Sequence, residues 1–148
     1  MNTIVFPYGI QFHEGGKMML FPAAEARIMS KHNAEPLHSV FLIDSGATVS
    51  VLPAGDADVL GIELHKGKRT IVRGLGATDF FGFRHIVTCK FQNYTFKLPV
   101  IFVDNPATLR IFGREGLFEK FIVLFDESKH RTIFLSPKER KHINALLE

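Results

Sequence analysis

The segment FLIDSGATVSVLP, residues 41–53, constrains the fold of this chain more than any other. An apolar run that begins at Ser39 ends in Asp44, and four small residues then lead into a second apolar run. A continuous apolar run is typical of a strand buried on both faces, and a carboxylate at its end needs hydrogen bonds to offset its desolvation. The pattern therefore predicts a strand over 39–44, a tight turn that holds the Asp44 carboxylate, and a second strand over 49–52.

The turn at Asp44 has two interpretations. Asp-Ser-Gly is a common turn sequence in which the carboxylate bonds its own backbone, so the tripeptide alone does not identify a catalytic site. In the second interpretation, Ser45 contributes a hydroxyl and Gly46 lets backbone N–H groups approach closely. Such a loop would hold Asp44 rigidly and leave its carboxylate open to a cleft.

The other sequence patterns predict a mainly β chain with a few short helices. Alternation of apolar and polar residues indicates a half-buried strand over 24–30. Further strands are predicted in the following segments: two strands joined by a glycine-bearing turn within 68–91, and one strand each over 94–103, 121–126 and 132–135. Pro99 inside the strand over 94–103 indicates an edge position or a bulge. Short helices are predicted over 54–60, 114–121 and 138–148.

Length and composition are those of one globular domain. The chain has 148 residues, 46% of them hydrophobic, with no repeat, linker or low-complexity tract, so we expect a single domain over 1–148. A net charge of +3 without a local basic stripe does not indicate a nucleic-acid partner. No uncharged apolar stretch approaches the roughly 20 residues that span a bilayer, so no membrane association is expected.

Cysteine and histidine usage bears on the compartment and on metal chemistry. Cys89 is the sole cysteine, which excludes an intrachain disulfide and favours a reducing compartment. The first residues lack the basic and apolar regions of a secretory signal, so a cytoplasmic location is expected. The seven His fall in no spacing typical of metal ligands, and we expect neither a metal site nor a cofactor.

A second motif, LRIFGREGLFEKF over 109–121, follows the Asp44 segment at a distance. The apolar pair Ile111 and Phe112 enters Gly113, and a short helix is predicted from Arg114 onwards. Gly113 would let this backbone cross close to the loop at Asp44, although an ordinary strand-to-helix turn has the same pattern. Between the two motifs, RGLGATDFFG over 73–82 is a glycine-bearing hairpin.

Two motifs in this order, with a glycine hairpin between them, resemble the retropepsin-like aspartic proteases. The resemblance covers about 24–135 and leaves 1–23 as an N-terminal extension and 137–148 as a helical tail. It implies a closed β-barrel of the acid-protease type, with a flap hairpin, a short helix after the Gly-Arg motif and a C-terminal helix. Its implied site residues are the following: Asp44 as the catalytic residue; Ser45, Gly46, Ala47 and Thr48 as support of the active-site loop; Gly74, Leu75 and Gly76 in the flap over the substrate; and Ile111, Phe112, Gly113 and Arg114 in a ψ-shaped loop.

The implied chemistry requires more than one copy of the chain. Aspartic proteases use two carboxylates that share one proton, and the sequence holds no second Asp-Ser-Gly or Asp-Thr-Gly. The chain is also too short for two lobes. The expected enzyme is therefore an aspartic endopeptidase that works as a homodimer, with Asp44 of each copy beside the two-fold axis, and its substrate is a peptide or protein.

One departure from the family keeps an alternative open. Retroviral members usually carry an Asp that pairs with the Arg of the Gly-Arg motif, whereas this sequence has Thr48 at that position. Arg114 therefore lacks its expected carboxylate. The alternative is a non-catalytic retropepsin-like module that binds peptide or assembles a complex; a small basic barrel that binds single-stranded nucleic acid through its many Phe residues ranks below both.

Overall fold

The structure, a computed structural model, describes residues 3–32, 35–74 and 78–148. The strands are β1 (Thr3–Pro7), β2 (Gly9–Phe12), β3 (Met18–Phe21), β4 (Ala23–Met29), β5 (Leu37–Ile43), β6 (Ser50–Pro53), β7 (Lys68–Arg73), β8 (Asp79–Phe91), β9 (Tyr94–Val103), β10 (Ile111–Phe112), β11 (Ile122–Asp126) and β12 (Arg131–Leu135). The α-helices are α1 (Gly55–Val59) and α2 (Arg140–Leu147), and short helical turns cover Leu64–Lys66, Arg114–Phe118, Glu127–Lys129 and Pro137–Glu139.

The largest sheet closes into a barrel. Within the described ranges its strand order is β4-β5-β10-β6-β9-β8, β8 pairs with β4 to complete the ring, and β7 extends the sheet outwards from β8. Alternation along β4 turns Ala24, Ala26 and Ile28 towards the barrel interior, where all three are buried. The prediction of a mainly β chain with a closed barrel is confirmed.

Phenylalanine side chains fill much of the interior. Phe41 of β5 and Phe112 of β10 stack with ring centroids 4.2 Å apart. Phe91, at the end of β8, contacts the rings of Phe121 and Phe134. Offset and edge-on ring contacts of this kind add to the free energy gained from burial alone. The aromatic core thus joins β5, which leads into the Asp44 segment, to β10, which carries the second motif.

β9 is an internal strand of the barrel, and Pro99 occupies a position within it that pairs with β8 alone. The register with β8 runs without interruption along β9. On its other side β9 pairs with β6 only from Val100 onwards. Pro99 therefore lies just before the second pairing begins, where a missing N–H interrupts no ladder.

β5 differs from its prediction in burial. Phe41 and Ile43 are buried, but Val40 is 51% exposed, so the strand is buried on one face only. The inner face packs on the barrel core, while Val40 on the outer face is exposed and Leu42 is half-buried. A continuous apolar run predicts a two-sided strand because the sequence carries no information about which faces find a covering element.

The two ends of the chain meet in a second sheet. Among the described strands its order is β1-β12-β11, with both pairings antiparallel. The N-terminal strand contributes Ile4 and Phe6 to the main core. A separate hairpin, β2–β3, connects β1 to the barrel. The sequence predicts no element for residues 1–23, whose alternation is interrupted by glycines and two prolines.

The predicted helices form, and the turn Arg114–Phe118 is irregular. α1 and α2 lie within the predicted segments, and the helical turn Arg114–Phe118 follows the Gly-Arg motif. Inside that turn Glu115 leaves helical geometry, and Gly116 has a φ of +82°. Leu146 and Leu147 of α2 are exposed. Over the part of the chain that the structure describes, no helix has the length and apolarity needed to cross a bilayer.

Candidate active site

Asp44 follows β5 directly, and hydrogen bonds within its own turn orient its side chain. Its Oδ1 accepts a hydrogen bond from the Gly46 N–H at 2.8 Å, and its carbonyl accepts one from the Ala47 N–H at 3.2 Å. The side chain is partly exposed. Asp44 therefore forms the turn in which the carboxylate bonds its own backbone. This turn is compatible with a catalytic role, because it holds the carboxylate in place and leaves it accessible to solvent.

β10 lies between the strand that enters the Asp44 loop and the strand that leaves it. Phe112 pairs with Ile43 of β5 in parallel register, and Ile111 pairs with Val51 of β6 in antiparallel register. The Asp44 N–H donates to the Phe112 carbonyl at 3.1 Å. This placement couples the second motif of the sequence to the first through backbone hydrogen bonds.

Gly113 crosses the backbone of the same loop at van der Waals distance. A Cβ at this position would lie 2.5 Å from the carbonyl carbon and oxygen of Val49, closer than real Cβ atoms approach. Beyond the crossing, the Arg114 N–H donates to the Ala47 carbonyl at 2.9 Å, and the Glu115 N–H donates to the Thr48 carbonyl at 2.8 Å. The glycine is therefore needed for the close approach of this backbone to Val49.

The departure at Thr48 has a structural counterpart. The Arg114 guanidinium reaches the Thr48 hydroxyl with Nη2 and Oγ1 3.4 Å apart, beyond the usual range of a protein hydrogen bond. Both side chains are exposed. Thr48 thus gives Arg114 a weak partner in place of the carboxylate that retroviral members supply.

A small apolar cluster lies beside this loop. Val51 of β6 and Ile101 and Val103 of β9 form its buried part. The β7–β8 hairpin packs on it through Val72 and Phe80.

That hairpin is the predicted flap. Its pairing extends to Arg73 and Asp79, and beyond that pair the Gly74 N–H donates to the Thr78 carbonyl at 3.0 Å. The predicted tip residues Leu75 and Gly76 lie outside the described residues.

Three residues of this region were missed from the sequence. Ser50 is buried, and its Oγ accepts a hydrogen bond from the Gly113 N–H at 3.1 Å; a lone polar residue inside the apolar run 49–52 is the signal that could have identified it. Asp56 and Arg110 form a two-point ion pair, with Nε–Oδ2 and Nη2–Oδ1 distances of 2.7 and 2.8 Å. No sequence signal connects those two residues, which are 54 positions apart.

The ion pair anchors the segment that leads into β10. The Asp56 carboxylate, on α1, is 7% exposed, and the hydrogen bonds it accepts raise the pKa of Arg110. The Arg110 carbonyl accepts a hydrogen bond from the Leu42 N–H at 2.9 Å. Arg110 therefore ties α1 to β5 just before the crossing at Gly113.

The chemical groups of the site are a carboxylate, backbone amides and hydroxyls. Asp44, Ser45 and Thr48 supply its polar side chains, and Arg114 supplies a positive charge at its rim. In the residues that the structure describes, no three His, Cys, Asp or Glu side chains gather as a metal site would require. Such a set can position water and a peptide backbone, but one chain brings a single carboxylate to the loop.

Two solved structures are similar to this chain. The crystal structure of a retropepsin-like aspartic protease from Rickettsia conorii matches with a TM-score of 0.58 and 20% identity, over 90% of this chain and 92% of that chain. The EIAV protease complexed with the inhibitor HBY-793 matches with a TM-score of 0.50 and 26% identity, over 74% of this chain and 93% of that chain. No family model matches the sequence, and no curated protein matches it. The likeness lies in the fold.

Proposed function

The chain has the fold of the retropepsin-like aspartic proteases, and from this premise we propose that it is an aspartic endopeptidase. The observation that supports the proposal is the Asp44 loop, crossed by Gly113 and bonded to the backbone of Arg114 and Glu115. In this arrangement the carboxylate is oriented by the Gly46 N–H and remains open to solvent. The loop can therefore hold a carboxylate against a peptide bond.

Catalysis in this proposal uses two copies of the chain. The Asp44 carboxylate of one copy takes a proton from a water molecule, which attacks the scissile carbonyl carbon, while the protonated Asp44 of the other copy donates a hydrogen bond to the carbonyl oxygen. The tetrahedral intermediate then breaks its C–N bond as the amine nitrogen receives the proton that the first Asp44 took from water, which returns that Asp44 to its carboxylate form. The enzyme is an obligate homodimer that needs no cofactor, and it works in the cytoplasm.

The remaining loop residues position the carboxylates and the substrate. The Ser45 hydroxyl links the two active-site loops across the dimer, and the Gly46 carbonyl accepts a hydrogen bond from the substrate backbone. Ala47 and Thr48 carry the carbonyls that bind the crossing segment. The hairpin with Gly74, Leu75 and Gly76 closes over the substrate.

A second candidate function is peptide binding or assembly without catalysis. It is favoured by the weak contact between Arg114 and Thr48, which leaves the rim of the site without the carboxylate found in retroviral enzymes. In that case the site around Asp44 would bind an extended peptide and release it uncleaved.

A cleavage assay on a peptide library separates the two functions. We expect the wild-type chain to cleave at acidic to neutral pH, and Asp44→Asn to lower the cleavage rate by at least about 100-fold, because a general acid–base group contributes that much or more. The control is Asp58→Asn, which removes an exposed carboxylate on α1 and should leave the rate unchanged. Cleavage that survives Asp44→Asn would contradict the mechanism, and a peptide that binds without being cleaved would favour the second function.

A further inference from the structure

A cavity of about 430 Å³ opens on the outer surface of the barrel, where β4 closes the ring against β8. Its polar lining consists of Glu25, Arg27, His38, Lys90, Gln92 and Asn93. His38 lies near the start of β5, whereas Asp44 follows the end of that strand. The cavity is therefore separate from the candidate active site.

Three basic side chains lie in one row across β5, β4 and β8. In the register of the sheet, Arg27 of β4 lies opposite His38 on one side and opposite Lys90 on the other. Directly opposite residues share one face of a sheet. Here it is the outer face, because Ala26 and Ile28, the neighbours of Arg27 in the chain, are both buried. Like charges directly opposite each other destabilise a sheet, so folding alone does not account for the pairing of Arg27 with Lys90.

The carboxylate of Glu25, which also lines the cavity, is bound to His38. Its Oε1 accepts a hydrogen bond from the His38 imidazole, with Nε2 2.6 Å away. Among the residues that the structure describes, no ion pair or side-chain hydrogen bond includes Arg27 or Lys90. These two side chains therefore bring positive charge to the cavity that no described carboxylate neutralises.

The donors of the cavity suit a phosphate group better than a carboxylate. The Arg27 guanidinium has the fork geometry that donates two parallel hydrogen bonds to phosphate, and the Lys90 ammonium has three further donors. The β8–β9 turn adds the carboxamides of Gln92 and Asn93. A phosphate monoester carries a charge of about −1.5 to −2 at pH 7 and three strong acceptor oxygens. It matches two positive charges, whereas a carboxylate has a single charge and two oxygens.

The cavity also has room for an organic group attached to the phosphate. Its volume of about 430 Å³ is within the range of small-molecule pockets. Phe6 and Ala26, both buried, form the apolar part of its lining. The phosphate would thus lie against the basic row, and the rest of the ligand would have an apolar wall to contact.

We propose that this cavity binds a small phosphate monoester, with Arg27 and Lys90 as the residues that hold its phosphate group. The bound dianion offsets the repulsion between the two opposite cations. The inference goes beyond the proposed function and does not depend on it, because the site and Asp44 are at opposite ends of β5.

Isothermal titration calorimetry on the full chain, at fixed ionic strength and with phenyl phosphate as the probe, tests the site. We expect saturable binding of one molecule per chain, with inorganic phosphate as a competitor. Arg27→Gln and Lys90→Gln should each weaken binding by about 10-fold or more, the effect of losing a hydrogen bond to a charged group.

The matched control is Lys97→Gln, which removes the same charge from the same face of the next strand. Lys97 lies opposite Thr88 in the sheet and donates to its hydroxyl at 2.8 Å, and it does not line the cavity. We expect this variant to bind the probe with wild-type affinity. Equal losses at Lys97 and Lys90 would overturn the proposal, because binding would then follow net charge alone.

Two further titrations define the ligand and separate this proposal from catalysis. Benzoate presents a carboxylate in place of the phosphate, and an equal affinity for benzoate would overturn the assignment to phosphate. Asp44→Asn should bind phenyl phosphate with wild-type affinity, whether or not the wild type cleaves peptides. Absence of saturable binding to the wild type would overturn the site and leave the proposed protease activity untouched.

Thermal unfolding checks that the two variants report on binding. Arg27→Gln and Lys90→Gln should unfold at or above the wild-type temperature, because each removes a like-charge contact. Phenyl phosphate should raise the unfolding temperature of the wild type, since a ligand that binds only the native state stabilises it, and should raise that of the two variants less. Unfolding of both variants well below the wild-type temperature would contradict the proposal, because the two charges would then stabilise the sheet itself.

Discussion

At the scale of single residues, Gly113 shows how little room the crossing at the Asp44 loop leaves. Its φ of −90° and ψ of −177° are extended values open to any residue, so the requirement for glycine is steric. An added Cβ would lie 2.5 Å from the carbonyl of Val49. Since that neighbour is backbone, relief requires movement of the loop that holds Asp44.

Gly113→Ala is therefore expected to destabilise the fold. Overpacking typically costs about 1–3 kcal/mol and occasionally more, and we expect a loss in the free energy of unfolding of at least that size. Denaturant unfolding measures it. Gly55→Ala is the control, because a Cβ at Gly55 meets nothing within 4 Å, and alanine inside α1 should stabilise by about 0.5–1 kcal/mol. Equal effects at the two glycines would contradict a tight crossing.

Cys89 is a buried thiol whose chemistry follows from its surroundings. It lies on β8 opposite Ile28 and Phe96, and burial raises its pKa to about 12. A thiol reacts as the thiolate, and the ordinary pKa of an unfolded Cys is about 8.5. The native protein therefore keeps this group neutral across the physiological range.

We expect Cys89 to resist a disulfide-exchange reagent at pH 8 in the native protein and to react fully in denaturant. Since the folded pKa is raised, the folded state favours the neutral thiol. Its contribution to stability is complete below about pH 8.5 and declines at higher pH, up to the folded pKa of about 12. Absorbance of the released reagent measures the reaction, and rapid labelling of the native protein would show that the thiol is accessible.

At the scale of elements, the ion pair of Asp56 and Arg110 connects α1 to the segment before β10. The carboxylate is almost fully buried and accepts two hydrogen bonds from one guanidinium. Removal of one partner from a buried pair leaves the other charge uncompensated, which costs more than the pair contributes. The segment that carries Leu109 and leads to Gly113 depends on this anchor.

Arg110→Ala should lower the free energy of unfolding by about 3–5 kcal/mol, the typical cost of breaking a buried pair, because it leaves the Asp56 carboxylate, which is 7% exposed, without its partner. The control is Glu63→Ala, which removes an ion pair to Lys66 whose two side chains are about 70% exposed; exposed pairs contribute about 0–1 kcal/mol. Thermal or denaturant unfolding of both variants measures the difference. Similar costs at the two positions would show that burial of the Asp56 pair adds nothing.

At the scale of the whole molecule, the proposed chemistry requires two copies of the chain for activity. The described part of the chain brings one Asp44 to the loop, and the three-stranded sheet of β1, β12 and β11 leaves two strand edges unpaired. On β11, Leu124 and Phe125 are both exposed. An unpaired apolar edge is a ready surface for pairing with another chain.

Mixing experiments test the two-chain dyad. Addition of an excess of Asp44→Asn chains to wild type should suppress cleavage, because mixed dimers hold one Asp44 and cannot share a proton between two carboxylates. Asp58→Asn chains, added in the same ratio, should leave the activity undiminished. Cleavage should also fall faster than protein concentration on dilution below the dimer dissociation constant, measured by sedimentation. Activity strictly proportional to concentration, with no inhibition on mixing, would contradict the dimer.

Local patterns in the sequence determined much of the barrel. The predicted strand over 94–103 matches β9, the alternation over 24–30 matches β4, and the helix predicted after Pro137 forms as α2. Gly113, which the motif places at a crossing, lies against the Asp44 loop. The strands and the helix can be predicted because side-chain period and turn residues depend on a few neighbouring residues.

Tertiary structure decided which surfaces are covered and which distant residues meet. Only the folded chain brings β1 to β12, joins Asp56 to Arg110 across 54 positions, and leaves the outer face of β5 open beside Ile10. These features could not be predicted from the sequence, because burial and pairing depend on elements far apart along the chain. The sequence by itself determined where the chain turns at Asp44; the tertiary structure decided that Phe41 and Ile43 are buried while Val40 stays exposed, because burial depends on which distant elements pack against each face of the strand.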